Sequence, residues 1–267
     1  MDISNLTQLW EEKFDHIYLQ HYPKYKERFE PIINELKRVG IYDASNFSIY
    51  YSIPTQIDEH IYDFYKDNNR LFSDSFTINF FRCNVTFYRI LCESVELGYQ
   101  KILVIHDDIK FLKDLDKIYD ILSNVPDDYD VCLFDYINCY QCQNQSMDNL
   151  TKYNEYYYSY DCLLGNTIGA YSYDYMKVII DCNNYKFGHV DSYISDILLS
   201  YQTMMEAGYN IYDYKIIFSY PRIAIQHEYK TSLANQLFNS DFSISDQYQT
   251  HMVNFLNKDI NYSDYNI

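Results

Sequence analysis

The sharpest chemical signal in the sequence is a pair of adjacent acids, Asp107 and Asp108, which follows His106 at the end of the apolar run Lys101-Ile-Leu-Val-Ile105. A short β-branched run of this kind reads as a buried central strand of a parallel sheet. Ligands of open α/β sheets bind beyond the carboxyl ends of such strands. Two carboxylates in that place are strongly coupled unless a cation neutralises them. Oxygen ligands there suit Mg²⁺ or Mn²⁺, the ions that bridge the phosphates of a bound nucleotide. Taken alone, the dipeptide also reads as a polar turn, and with 38 Asp plus Glu in the chain that reading is the commoner one. Cys139-Tyr-Gln-Cys142 is a lone CxxC. A zinc site needs a second pair and a redox motif needs to open a helix, so free thiols are expected.

The elements that would position the acids follow from periodicity. Phe14 to Leu19 reads as a first buried strand. From Lys24 to Val39 the pattern is helical, with Phe29, Ile32, Ile33 and Leu36 on one face and Gly40 as the stop. Phe47 to Ser52 is a second strand, and residues 55 to 74 are polar and irregular. A helix from Asp74 or Ser75 to about Leu97 ends at Gly98 before the acidic strand. Leu112 to Leu122 is amphipathic, and Val131 to Phe134 is another apolar strand. Further strands are expected over Tyr153–Tyr160, Thr167–Tyr171 and Ile216–Tyr220, with helices over Tyr173–Asp181 and Val190–Ala207 and a polar tail beyond about 234. This alternation predicts one α/β sandwich with a mostly parallel central sheet and helices on both faces.

Composition excludes several classes. The 267 residues carry 21 Lys plus Arg against 38 Asp plus Glu, a net charge of −17, with no local basic patch, so nucleic acid is not an expected partner. No apolar run approaches the ~18 residues of a membrane span. The opening Met1-Asp-Ile-Ser-Asn-Leu has neither a basic nor an apolar signal region, and seven scattered cysteines fit a reducing compartment. A cytoplasmic location is expected (host cytoplasm or virion for a viral protein). The 33 Tyr, with abundant Asn, Ile and Lys, follow AT-rich codons and suit a low-GC bacterium or a giant DNA virus.

Four segments, spread over about residues 14 to 233, together resemble glycosyltransferase family 25, the group of lipopolysaccharide-biosynthesis and collagen-galactosyl transferases. Ile17-Tyr18-Leu19 followed by Lys24, Glu27-Arg28 and Glu30 resembles the family's first strand and basic stretch. Cys83 to Gly98, leading into Lys101-Ile-Leu-Val-Ile-His-Asp-Asp-Ile-Lys-Phe111, resembles its helix and the strand ending Glu-Asp-Asp. Gly169-Ala-Tyr171 precedes a helix and Val190-Asp191 opens the next. Tyr220-Pro-Arg-Ile-Ala-Ile-Gln226, closing with Thr231-Ser232, resembles the family's Pro-x-x-x-x-Gln…Ser ending.

The resemblance implies a GT-A-like fold, with a nucleotide-sugar-binding half over about 14–136, an acceptor half over about 150–233 and a C-terminal tail over 234–267. It implies a metal-dependent, inverting transfer of a sugar from a nucleotide-sugar, most often a UDP-sugar, to a hydroxyl of a glycan or glycoprotein acceptor. Asp108 is then expected at the Mn²⁺ or Mg²⁺, with His227 as a second protein ligand. Asp107 is expected at ribose or sugar hydroxyls, Lys24 and Arg28 at the diphosphate, and Tyr18 against the base. His106 stands where the family has the first acid, as a metal ligand, a hydrogen-bond partner of the donor sugar, or a packing residue. Asn84-Val85 stands where the family has Ser-His. These two departures motivate a second reading, a nucleotide-sugar- or carbohydrate-binding homologue that has lost transfer. The tyrosines motivate a third, an interaction protein.

The attacking acceptor hydroxyl must lose its proton, and Asp191 is the candidate base. The same residue fits equally well as a helix N-cap. Asp191→Asn separates the two roles. A base would lose ~10²–10⁴-fold in transfer with unchanged donor affinity, whereas an N-cap would tolerate Asn almost without loss. The assay must follow transfer to an acceptor, because donor hydrolysis by water tolerates loss of the base.

Overall fold

The computed structural model describes residues 1–52, 86–135, 137–138, 151–159, 163–164, 168–183, 208–210, 213–226 and 264. The chain opens with a helix, α1 (Ile3–Lys13), that the periodicity reading had not anticipated. The Asp2 carboxylate caps it by accepting from Ser4 N at 3.1 Å, and Leu6, Leu9 and Trp10 supply a buried face at helical spacing. The first strand, β1 (His16–His21), therefore starts two residues later than expected and runs two residues further. Next come α2 (Lys26–Arg38), β2 (Phe47–Tyr51) and a helix, α3, described over 86–96. The acidic segment follows as β3 (Lys101–His106), a two-residue turn and β4 (Ile109–Phe111). The remaining elements are α4 (Leu115–Ser123), β5 (Val131–Leu133), β6 (Ile137–Asn138), β7 (Thr151–Lys152), β8 (Tyr157–Ser159), β9 (Leu163–Leu164), β10 (Ile168–Ser172), α5 (Tyr173–Asn183), β11 (Ile216–Ser219) and β12 (Ala224–Gln226). The loop expected over 55–74 and the helix expected over 190–207 lie outside the described residues.

Eight strands form one sheet in the order β2-β1-β3-β10-β5-β11-β8-β7. β2, β1, β3, β5, β11 and β7 run one way, and β10 and β8 run against them. The sheet is thus mostly parallel by direction but mixed by neighbour, because β10 inserts antiparallel between β3 and β5. Strands from both stretches of the sequence share it.

Alternation along the strands builds a core on each face. Ile17, Leu19, Leu103 and Ile105 point to the side covered by α1, α2 and α4. Tyr18, Ile102 and Val104 point to the other, where Phe87, Ile90 and Leu91 of α3 and Met176 and Ile179 of α5 close the layer. The result is a three-layer α/β sandwich with helices on both faces. Among the described residues no helix is long and apolar enough to cross a membrane.

Gly40 and Gly98 end α2 and α3 in the left-handed region, each at φ +76°. Their surroundings differ. A Cβ at Gly40 would meet Thr7 Oγ1 at 2.5 Å and the Ile3 carbonyl at 3.2 Å, while at Gly98 nothing lies within 4 Å. Gly98→Ala is therefore expected to cost ~1–2 kcal/mol, from backbone strain alone. Gly40→Ala should cost clearly more, because α1 must also shift. Urea denaturation of the two variants checks the order, and equal losses would refute it.

Candidate functional site

β1, β2, β3, β5 and β11 all present their carboxyl ends at one edge of the sheet, and the acidic pair lies there. β1 and β3 are parallel with Gln20 opposite His106, so one further step sets His21 opposite Asp107. Both continue the row of Leu19 and Ile105 and face α2. α2 in turn sends Arg28 back from its first turn toward the same point.

The three side chains meet. His21 Nδ1 lies 2.7 Å from Asp107 Oδ2, and the Tyr22 backbone N–H donates to the same oxygen at 3.2 Å. Arg28 Nη1 donates to Asp107 Oδ1 at 3.1 Å and stands 3.6 Å from Asp108 Oδ2. Its guanidinium also rests on the Tyr25 ring, 4.3 Å from the centroid. All four charged or ionisable groups are buried: His21 is 3% exposed, Arg28 and Asp107 5%, and Asp108 6%. Burial, the largest single influence, pushes the Asp107 carboxyl up, but the His21 hydrogen bond and the Arg28 charge outweigh it and hold the group below the usual aspartate range. Arg28 is likewise opposed by burial, and the charges of Asp108 and Asp107 keep it firmly protonated. The coupling foreseen for two adjacent carboxylates is thus relieved in part by an arginine of the chain itself.

Of the residues singled out in the sequence, Arg28, Asp107 and Asp108 come together. Asp107, expected at ribose or sugar hydroxyls, has both oxygens engaged inside the protein and acts as the hub of the cluster. Arg28, expected at the diphosphate, turns Nη1 toward the acids. Tyr18 corrects the expectation of base stacking. It is 1% exposed, sits against Tyr50 in the α3 layer, and has the Ser94 hydroxyl 3.4 Å from its own, because an interior strand leaves neither ring face open. Burial pushes its phenol up to about 12. Lys24 is exposed in the β1–α2 loop beside the cluster. His106 points to the α3 and α5 side of the sheet, and among the described residues its buried Nε2 has no hydrogen-bond partner. Asp191 and His227 lie outside the described residues.

Two participants escaped the sequence reading. His21 and the Tyr22 backbone carry no motif, and only the parallel register of β1 on β3 shows that the end of one strand faces the end of the other. A second pairing follows the acidic turn: β4 pairs antiparallel with β12 in a separate ribbon, Gln226 opposite Ile109.

Among the described residues no three His, Cys, Asp or Glu side chains form a group able to hold a metal ion. Asp108, which pairs with Arg28 at 3.6 Å, would be a single carboxylate ligand. That suffices for Mg²⁺ or Mn²⁺ only when substrate phosphates and water complete the shell, as they commonly do. No protein-family model matches the chain, and no curated protein matches it.

The Asp107 assignment has a pH signature. A carboxyl whose folded pKa is depressed below the ordinary 3.8 stabilises the fold fully above the unfolded pKa, and that contribution is lost as pH falls through the folded pKa. Asp107→Asn should cost on the order of 3 kcal/mol at pH 7, the cost of breaking a buried pair. It should also remove this part of the acid sensitivity. Urea unfolding of both proteins from pH 7 down to pH 2 tests it, and parallel pH profiles would contradict the assignment.

Proposed function

We propose that this protein is a glycosyltransferase that moves a sugar from a nucleotide-sugar donor, a UDP-sugar by its resemblance to family 25, to a glycan or glycoprotein hydroxyl. The observation that carries the reading is the buried acidic turn, Asp107 and Asp108, at the carboxyl ends of the parallel strands β1 and β3, where ligands of open α/β sheets bind.

In this reading Asp108 and His227 would be the side chains that hold the divalent cation. When bound, the cation supplies the positive charge that stabilises the diphosphate as it departs. Asp107 positions its neighbour instead of touching the sugar. Arg28 fixes the spacing of the two acids and offsets their charge, and exposed Lys24 is left to meet the phosphates. The buried Nε2 of His106 suits a hydroxyl of the donor sugar. Asp191 takes the proton of the acceptor hydroxyl in a single inverting displacement. The free thiols of Cys92, Cys132 and Cys182 accord with a reducing, cytoplasmic setting.

A second reading, a binding protein without transfer, is favoured by one observation. Arg28 already compensates the acid pair, so the cluster is partly neutral before any cation arrives.

Titration calorimetry with UDP, with and without Mn²⁺, decides between them. The enzyme binds UDP in a metal-dependent way and slowly hydrolyses a UDP-sugar, while the binding protein takes up ligand without turnover. Asp108→Asn should weaken Mn²⁺-dependent UDP binding by more than the ~10–100-fold typical of a residue that only supports a metal ligand. Circular dichroism is the control for folding, because removing the charge beside buried Arg28 also costs stability. Unchanged affinity would remove Asp108 from the site.

A further inference from the structure

We infer that His21 is a positioning residue of the donor site, setting the direction of Asp107 and through it the place of Asp108. The inference rests on the proposed metal-dependent nucleotide-sugar binding and adds a residue that the resemblance does not include.

The geometry is specific. His21 is the last residue of β1, held between the Phe29 ring of α2 at 4.8 Å and the Tyr51 ring of β2 at 6.0 Å. That packing leaves the imidazole little freedom, and its Nδ1 is aimed at Asp107 Oδ2 from 2.7 Å. Both Asp107 oxygens already accept from other donors, Oδ2 from the Tyr22 N–H at 3.2 Å and Oδ1 from Arg28 Nη1 at 3.1 Å. An oxygen that faces one N–H donor accepts from the second as well, so Nδ1 is the donor of the 2.7 Å contact. Among the described residues His21 makes no other hydrogen bond, so its polar chemistry is committed to this one contact.

The consequence runs through Arg28. Its Nη1 is shared between Asp107 at 3.1 Å and Asp108 at 3.6 Å. While His21 and the Tyr22 N–H occupy Oδ2, Asp107 draws on Arg28 only through Oδ1. Without the His21 donor, a buried carboxylate regains a partner most readily by swinging further onto the guanidinium. The share of Arg28 facing Asp108 then changes, and so does the carboxylate offered to the cation. Groups that orient a metal ligand from behind in this way are worth ~10–100-fold in metal affinity.

The test compares His21→Phe, which keeps ring volume and removes the donor, with His21→Asn, whose amide nitrogen can replace Nδ1. Mn²⁺ affinity in the presence of UDP is measured by calorimetry, with the melting temperature as the control for folding. His21→Phe should lose ~10–100-fold in Mn²⁺ affinity, and His21→Asn should recover most of that loss. A shape-filling role alone would give the opposite order. Equal Mn²⁺ affinity in wild type and a folded His21→Phe overturns the inference and leaves the proposed function standing. Absence of Mn²⁺-dependent UDP binding in the wild type overturns both. Should His21→Phe not fold, ¹⁵N chemical shifts of the wild-type imidazole decide: a protonated Nδ1 supports the assignment, and a bare Nδ1 with the proton on Nε2 refutes it.

Discussion

The buried carboxylate of Asp107 constrains everything around it. A charge taken out of water is tolerated only if partners surround it. Here they come from three separate elements: His21 from the end of β1, the Tyr22 backbone from the loop beyond it, and Arg28 from the first turn of α2. Satisfying one side chain therefore fixes the seam between β1 and β3, the path of the β1–α2 loop and the docking of α2 over the sheet. Glu35 repeats the device two turns further along α2. It is buried, accepts from Arg38 Nη2 at 2.8 Å and from the Phe111 N–H at 3.3 Å, and so ties α2 to β4 just past the acidic turn. The acids stand in a frame anchored on both sides.

The opposite edge of the sheet is braced by a different acid. Asp130 accepts from the Lys215 backbone at 2.7 Å and from the Ser172 hydroxyl at 3.2 Å, joining the starts of β5 and β11 to the end of β10. With its amino ends held, the sheet can leave its carboxyl edge to polar residues. That asymmetry is the usual basis for placing function in an α/β sandwich: the scaffold is stabilised at one edge and exposes its chemistry at the other.

Several of the described tyrosines are core residues. Tyr18, Tyr157, Tyr171 and Tyr175 are among the largest fully buried side chains, and Tyr157 donates its hydroxyl to the Ile121 carbonyl at 3.0 Å. An amphipathic ring fills a core position well when its hydroxyl reaches a partner at the layer's margin. Other rings lie under cations, as Tyr153 does below Lys215 at 3.9 Å.

What the sequence determined by itself is local. The β-branched run Lys101 to Ile105, the helical spacing of Phe29, Ile32, Ile33 and Leu36, and the stops at Gly40 and Gly98 depend on neighbours within a few residues, and the elements formed there. The acidic turn at the end of β3 was readable for the same reason. The short helix α1 has a local cap and apolar spacing of its own, but where it docks rests on a distant contact, the Trp10 indole donating to the Val39 carbonyl at 2.9 Å. The antiparallel insertion of β10 was not readable, since a five-residue apolar strand carries no mark of its direction. The roles within the site were decided last of all. Tyr18 and His21 lie three residues apart on one strand, yet the pleat sends one into the core behind α3 and the other to Asp107. Residue type can suggest a phosphate-binding arginine or a sugar-binding aspartate. Only the parallel register of β1 on β3, with α2 packed across it, shows that the two bind each other, because a buried charge takes the nearest partner that can follow it out of water.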